Sequence, residues 1–142
     1  MMTKKHAATS TLLVLMLVGL TGMLNAQMST IIKAQVPFDF AANGKTMPAG
    51  ECIVAVLVSN GRTLLSIRSG KQHAYALPNR GESPNASKDT ALVFHQYGDR
   101  YFLAGIRHEG SIAYQLPASR LEGELQARNV AEQVFTLLAS AK

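Results

Sequence analysis

Beyond the first 26 residues, the side chains that could do chemistry are three histidines, one cysteine and a scatter of carboxylates. His73, His95 and His108 lie too far apart to form a local metal-ligand pair, so a metal centre would need a sheet to bring His95 to another strand. Glu122 and Glu124 are two apart on a predicted helix and point in different directions, which does not suit paired acid/base work. Cys52 sits in the apolar run Cys52-Ile53-Val54-Ala55-Val56, the setting of a buried small hydrophobe rather than a reactive thiol. As the only cysteine it forms no internal disulfide. There is no Gly-x-Ser-x-Gly elbow, and Gly105 and Gly110 are not in a phosphate-cradling loop. The expectation is a chain with no catalytic residue, no metal and no cofactor, that is, not an enzyme.

The aromatics raise a second possibility. Tyr75, Tyr97, Tyr101, Phe102 and Tyr114, with Arg68, Arg100 and Arg107, have the composition of a nucleic-acid stacking platform. On strands, however, such rings more often pack in a core or pair across strands. Lys and Arg form no run beyond Lys5, so binding of nucleic acid by charge has little support.

The element that must position most of these groups is the stretch from Leu92 to Leu103. Two apolar, aromatic-rich runs flank Gly98-Asp99, the pattern of a β-hairpin whose two-residue turn has Gly first. Strict alternation puts Leu92, Phe94, Tyr101 and Leu103 on one face. It puts Val93, His95, Tyr97, Phe102, Ala104 and Ile106 on the other. Both faces are apolar, so this pair should be the most buried, with sheet on one side and the C-terminal helix on the other.

Around it, Glu51–Ser59 and Arg62–Ser69 form a hairpin closed by Asn60-Gly61, whose two residues suit the positive φ of a type I′ turn. Its predicted core face carries Val54, Val56, Val58, Leu65 and Ile67. Val36, Phe38 and Phe40 alternate with Pro37 and Asp39 as a half-buried strand, at an edge or starting after the proline. His73, Tyr75 and Leu77 share one side of a further strand, and Glu109-Gly110 marks another turn. Residues 78–90 contain no large apolar side chain and read as a long exposed loop, a candidate binding loop. At its C-terminal end, Ser119-Arg120-Leu121-Glu122 fits a capping box, and Leu121, Leu125, Val130, Val134, Leu137 and Leu138 continue an apolar helical stripe. Gly123 and Asn129 weaken its middle.

The first 26 residues belong to a different class. Lys4 and Lys5 precede an uncharged stretch, Ala7 to Leu24, that closes on Asn25-Ala26. This is the pattern of a secretory signal, cleaved near Ala26 and carrying a signal helix. The alternative is a retained anchor, since the stretch approaches the ~20 residues needed to span a bilayer. Residues 27–142 then carry 12 Lys and Arg against 9 Asp and Glu, a net +3 compared with +5 for all 142 residues.

Several pieces of the chain resemble a family of small secreted bacterial β-rich proteins of no assigned function. These are Val36-Pro37-Phe38-Asp39-Phe40, Met47-Pro48-Ala49-Gly50-Glu51, Leu65-Ser66-Ile67-Arg68-Ser69, the hairpin 92–103, and Leu116-Pro117-Ala118-Ser119-Arg120 with Glu122 and Leu125. Cys52 departs from that pattern, and the segment beyond Arg128 looks like an extension. The resemblance implies an exported protein and brings no site residue. The expected architecture is mainly β: an antiparallel meander of strands over about 31–116, forming a small sandwich or barrel. A C-terminal α-helix covers about 119–140, all in one domain at 27–142. The expected function is a non-catalytic binding or protein-interaction module, secreted or periplasmic and monomeric, working through the 78–90 loop or an exposed sheet face. Its partner is a protein or small molecule and not nucleic acid, and it meets the membrane only through the signal. A β-barrel carrier of a small apolar ligand is the alternative, and a cell-envelope hydrolase a distant one.

Overall fold

The computed structural model describes residues 28–82, 88–108 and 112–142. The expected signal, the Asn85-Ala86-Ser87 part of the 78–90 loop and the Glu109-Gly110 turn lie outside the described residues. The strands are β1 (Met28–Val36), β2 (Phe40–Ala42), β3 (Lys45–Met47), β4 (Gly50–Ser59), β5 (Arg62–Ser69) and β6 (Gln72–Ala76). They continue as β7 (Asn79–Glu82), β8 (Ala91–Tyr97), β9 (Arg100–His108) and β10 (Ile112–Gln115). Helix α1 (Arg120–Ala127) comes next, followed by β11 (Glu132–Leu138) and β12 (Ser140–Ala141).

The strands make two curled sheets, together a half-barrel. Sheet 1 has the order β12-β1-β4-β5-β6, and sheet 2 the order β11-β8-β9-β10-β7, with β2 and β3 attached through β9. At each side the chain steps from the edge of one sheet to the edge of the other, from β6 to β7 and from β11 to β12. The meander holds for β4-β5-β6 and β8-β9-β10, where short turns make sequence neighbours into ladder neighbours. Elsewhere the partners are distant: β1 pairs with β4 over nine residues, and β11 pairs with β8 over seven.

Inward residues of both sheets meet in one core. Ile32, Val54, Leu65, Ile67, Leu92 and Phe94 are fully buried, each contributing roughly 1.5–3 kcal/mol by leaving water. Every residue of this core lies between Ile32 and Leu116, with Leu137, Ala139 and Ala141 packed against it. Cys52 is buried as expected, and burial pushes its thiol up to about 12, so it stays protonated and unreactive. Val58 is the exception on the predicted core face of the β4–β5 hairpin. It is 40% exposed because the tip of the hairpin reaches past the core.

Four further expectations are corrected. The helix of 119–140 is only α1. Asn129, at φ 55°, ends it in a Schellman motif in which the Val130 N–H donates to the Leu125 carbonyl and the Asn129 N–H to that of Gln126. The run Val134-Phe135-Thr136-Leu137-Leu138 then follows its β-branched and aromatic propensity into β11. The strand around Pro37 is split: Pro37 has no N–H for a ladder, so β1 ends at Val36 and β2 starts at Phe40. Within the 78–90 loop, Asn79–Glu82 form β7 on β10 rather than loop. Finally, a bulge skips Ala104, so Phe94 pairs with Leu103 but Leu92 with Ile106. Ile106 therefore joins Leu103 on the core face instead of standing with His95, and Gly105 tucks in where a Cβ would sit 3.0 Å from the Tyr114 carbonyl oxygen.

Candidate functional site

The outer faces of the two sheets are the two places where polar or accessible groups gather. On sheet 2, β8 and β9 meet at the Gly98-Asp99 turn, with Gly98 at φ 64° as a Gly-first turn requires. This register sets His95 opposite Phe102 and Tyr97 opposite Arg100. Helix α1 lies over that face and buries Tyr97 and Phe102. Ser119 caps the helix, its Oγ accepting from the Glu122 N–H at 3.3 Å. Only half of the capping box forms, because the Glu122 carboxylate turns away from the cap toward the sheet.

There Glu122, 4% exposed, takes up a network that no local spacing announces. The His95 Nδ1 lies 2.7 Å from Glu122 Oε1, and its Nε2 lies 3.6 Å from Glu132 Oε1 on β11. The Tyr97 hydroxyl is within donating distance of Glu122 Oε1 at 3.2 Å and of Glu132 Oε2 at 2.9 Å, and it accepts from Gln126 Nε2 at 3.0 Å. Burial pushes the Tyr97 phenol up to about 12, with the two carboxylates adding to the effect, so the hydroxyl keeps its proton as a donor. The two carboxylates meet at the Tyr97 hydroxyl and approach different nitrogens of the His95 ring. Among the described residues no group of three or more His, Cys, Asp and Glu is arranged to hold a metal ion. Its second nitrogen faces a carboxylate, where nucleophilic catalysis would need a hydroxyl or thiol. The network instead ties α1 and β11 to β8.

The other candidates are dispersed. His73 is exposed on β6, and His108 ends β9 with its Nδ1 3.4 Å from Thr90 Oγ1. The aromatic residues do not form one platform. Tyr114 is in the core, Tyr97 and Phe102 lie under α1, and Tyr101 stacks on Phe38 at 3.7 Å. Phe38 in turn meets the edges of Phe94 and Phe135.

Among the described residues, sheet 1 has no helix on its outer face. Ladder pairing lines up three outward rows there: Ser29, Leu57 and Leu64, extended by Leu77; then Ile31, Ala55, Ser66 and Tyr75; then Lys33, Ile53, Arg68 and His73. Leu77 is 70% exposed, Tyr75 57% and Ile31 39%, beside half-buried Leu57 and Leu64. The open depression at its end is lined by Leu57, Val58, Arg62, Leu64 and Leu77. Sequence reasoning paired His73, Tyr75 and Leu77 on one side of a strand. It missed that Ile31, Leu57 and Leu64 complete the same surface, since β1 reaches β4 only in three dimensions. No protein-family model, curated protein or solved structure matches the chain.

Proposed function

We propose that this chain is an exported, non-catalytic binding module of the bacterial cell envelope, and that the outer face of sheet 1 is its working surface. One observation carries the reading. Tyr75, Leu77 and Ile31 stand exposed on a sheet face that no other element of the described chain covers. Water contact with large apolar groups is unfavourable, and on this face the three stand in adjoining ladder rows. Export rests on the leader pattern of residues 1–26, and the bacterial setting on the family resemblance.

The test is photo-crosslinking in cells with benzoylphenylalanine in place of Tyr75 and, as a control, in place of Arg120 on the far side of the molecule. Adducts from position 75 and none from position 120 are expected. Equal labelling at both would overturn the choice of surface. Native mass spectrometry of the purified protein addresses the carrier alternative, since one apolar small molecule retained per chain would replace the binding module by a carrier.

A further inference from the structure

The working surface just proposed also has a charge pattern, and that pattern points to its partner. Strands β1, β4, β5 and β6 with their turns carry four cations, Lys33, Arg62, Arg68 and Lys71, against one carboxylate, Glu51. That excess of three equals the whole net charge of residues 27–142. The remaining residues of 27–142 carry eight cations and eight carboxylates and balance, so the net positive charge of this part of the chain equals that of these four strands and their turns.

On the outward face the distribution is ordered. Lys33, Arg68 and His73 form the row beside the apolar rows, and Arg62 stands at the opposite end on the hairpin tip, opposite Ser59. Lys33, Arg62 and Arg68 are exposed, and none is ion-paired among the described residues. Glu51 is set off in the next row, opposite Gln35. An apolar band containing a tyrosine, bordered on two sides by free cations, matches the composition of a surface that lies on a bilayer. There, apolar side chains enter the headgroup boundary and cations meet anionic lipid.

We infer that the outer face of sheet 1 docks on an anionic lipid surface, with Ile31, Tyr75 and Leu77 contacting the interface and Lys33, Arg62 and Arg68 contacting the headgroups. This rests on the reading of that face as the working surface. No helix of the described residues is long and apolar enough to cross a membrane, and the docking argued here is peripheral.

The chain from Gln27 contains every core residue, so it serves for a vesicle flotation assay without the leader. The probes are vesicles of phosphatidylcholine alone and with about one-third phosphatidylglycerol. The protein should float with the anionic vesicles, and binding should fall at least about tenfold on neutral vesicles or in about 0.5 M salt. Lys33→Glu with Arg68→Glu, and separately Tyr75→Ser with Leu77→Ser, should each weaken binding by a similar factor. Circular dichroism should show that these surface variants are folded. Equal binding to both vesicle types, or binding unchanged by both double variants, overturns the inference. If no flotation occurs and position 75 crosslinks to one discrete protein, the face is a protein site: the lipid assignment fails and the binding module stands. If neither occurs, both fail.

Discussion

The outer faces of the two sheets are built from similar strands and treated in opposite ways. On sheet 2, α1 covers the β8–β9 hairpin, and the polar groups beneath it satisfy one another: Glu122 with His95 and Tyr97, Gln126 with Tyr97, Glu132 with Tyr97. On sheet 1, no described element covers Tyr75 and Leu77, and three cations have no ion-pair partner among the described residues. On the first face Tyr97 and Glu122 are buried under α1 while His95 and Glu132 stay partly exposed, and their mutual contacts contribute to stability. The second is open, so its chemistry is available to something outside. A histidine beside a buried glutamate looks more like an active centre than a bare apolar sheet does. Here each group of the network has partners within the fold, which tie α1 and β11 to β8.

If this contrast is right, mutations on sheet 2 should cost stability and mutations on sheet 1 should not. The largest effect should come from Glu122→Ala, which removes the partner of the His95 Nδ1 and one of the acceptors of the Tyr97 hydroxyl under α1. Chemical denaturation should show a loss of about 2–3 kcal/mol. A loss below about 0.5 kcal/mol would mean that the network is ornamental to the fold.

High pH should act on the same place. The folded state raises Tyr97 from 10.0 to about 12, so its contribution is fully present below pH 10 and is lost as pH rises toward 12. Cys52, raised from 9.0 to about 12, adds a loss that begins near pH 9. In Tyr97→Phe only the Cys52 part should remain, and thermal melts at stepped pH would separate the two. Ser119→Ala removes the helix cap and should cost about 1 kcal/mol, loosening α1 before the sheets. Hydrogen exchange at residues 120–127 would show it.

The smallest effect should be that of Leu77→Ser on sheet 1, within about 0.5 kcal/mol of the parent. A large destabilisation there would mean that Leu77 serves the core and would break the contrast.

Much of this was legible in the sequence where the determinants are local. Asn60-Gly61 and Gly98-Asp99 mark their hairpins because positive φ is needed within two residues of the strands they join. The alternation of Val54, Val56, Leu65 and Ile67 marks a core face because side chains on a strand point to opposite sides in turn. Cys52 is recognisable as buried from its neighbours. The Ala104 bulge was not legible: one skipped residue changes the face of every later side chain, and alternation alone places Ile106 on the wrong side. The end of the helix was only half legible. Asn129 was noted as a weak point, but the change to β11 needed the free edge of β8 as a partner.

The sequence alone determined a mainly β chain with hairpins at known turns, a buried thiol, a capped C-terminal helix start and a first 26 residues of distinct composition. Turns, caps and periodicities act over a few residues and carry their own physical cause. Only the tertiary structure decided that Glu122 meets His95 across 27 residues of chain, that β11 reaches back to β8, and that β1 completes an apolar and basic surface on β4, β5 and β6. Those contacts depend on which strands find each other across long loops. Many pairings of apolar strands bury similar area, so no local pattern chooses among them.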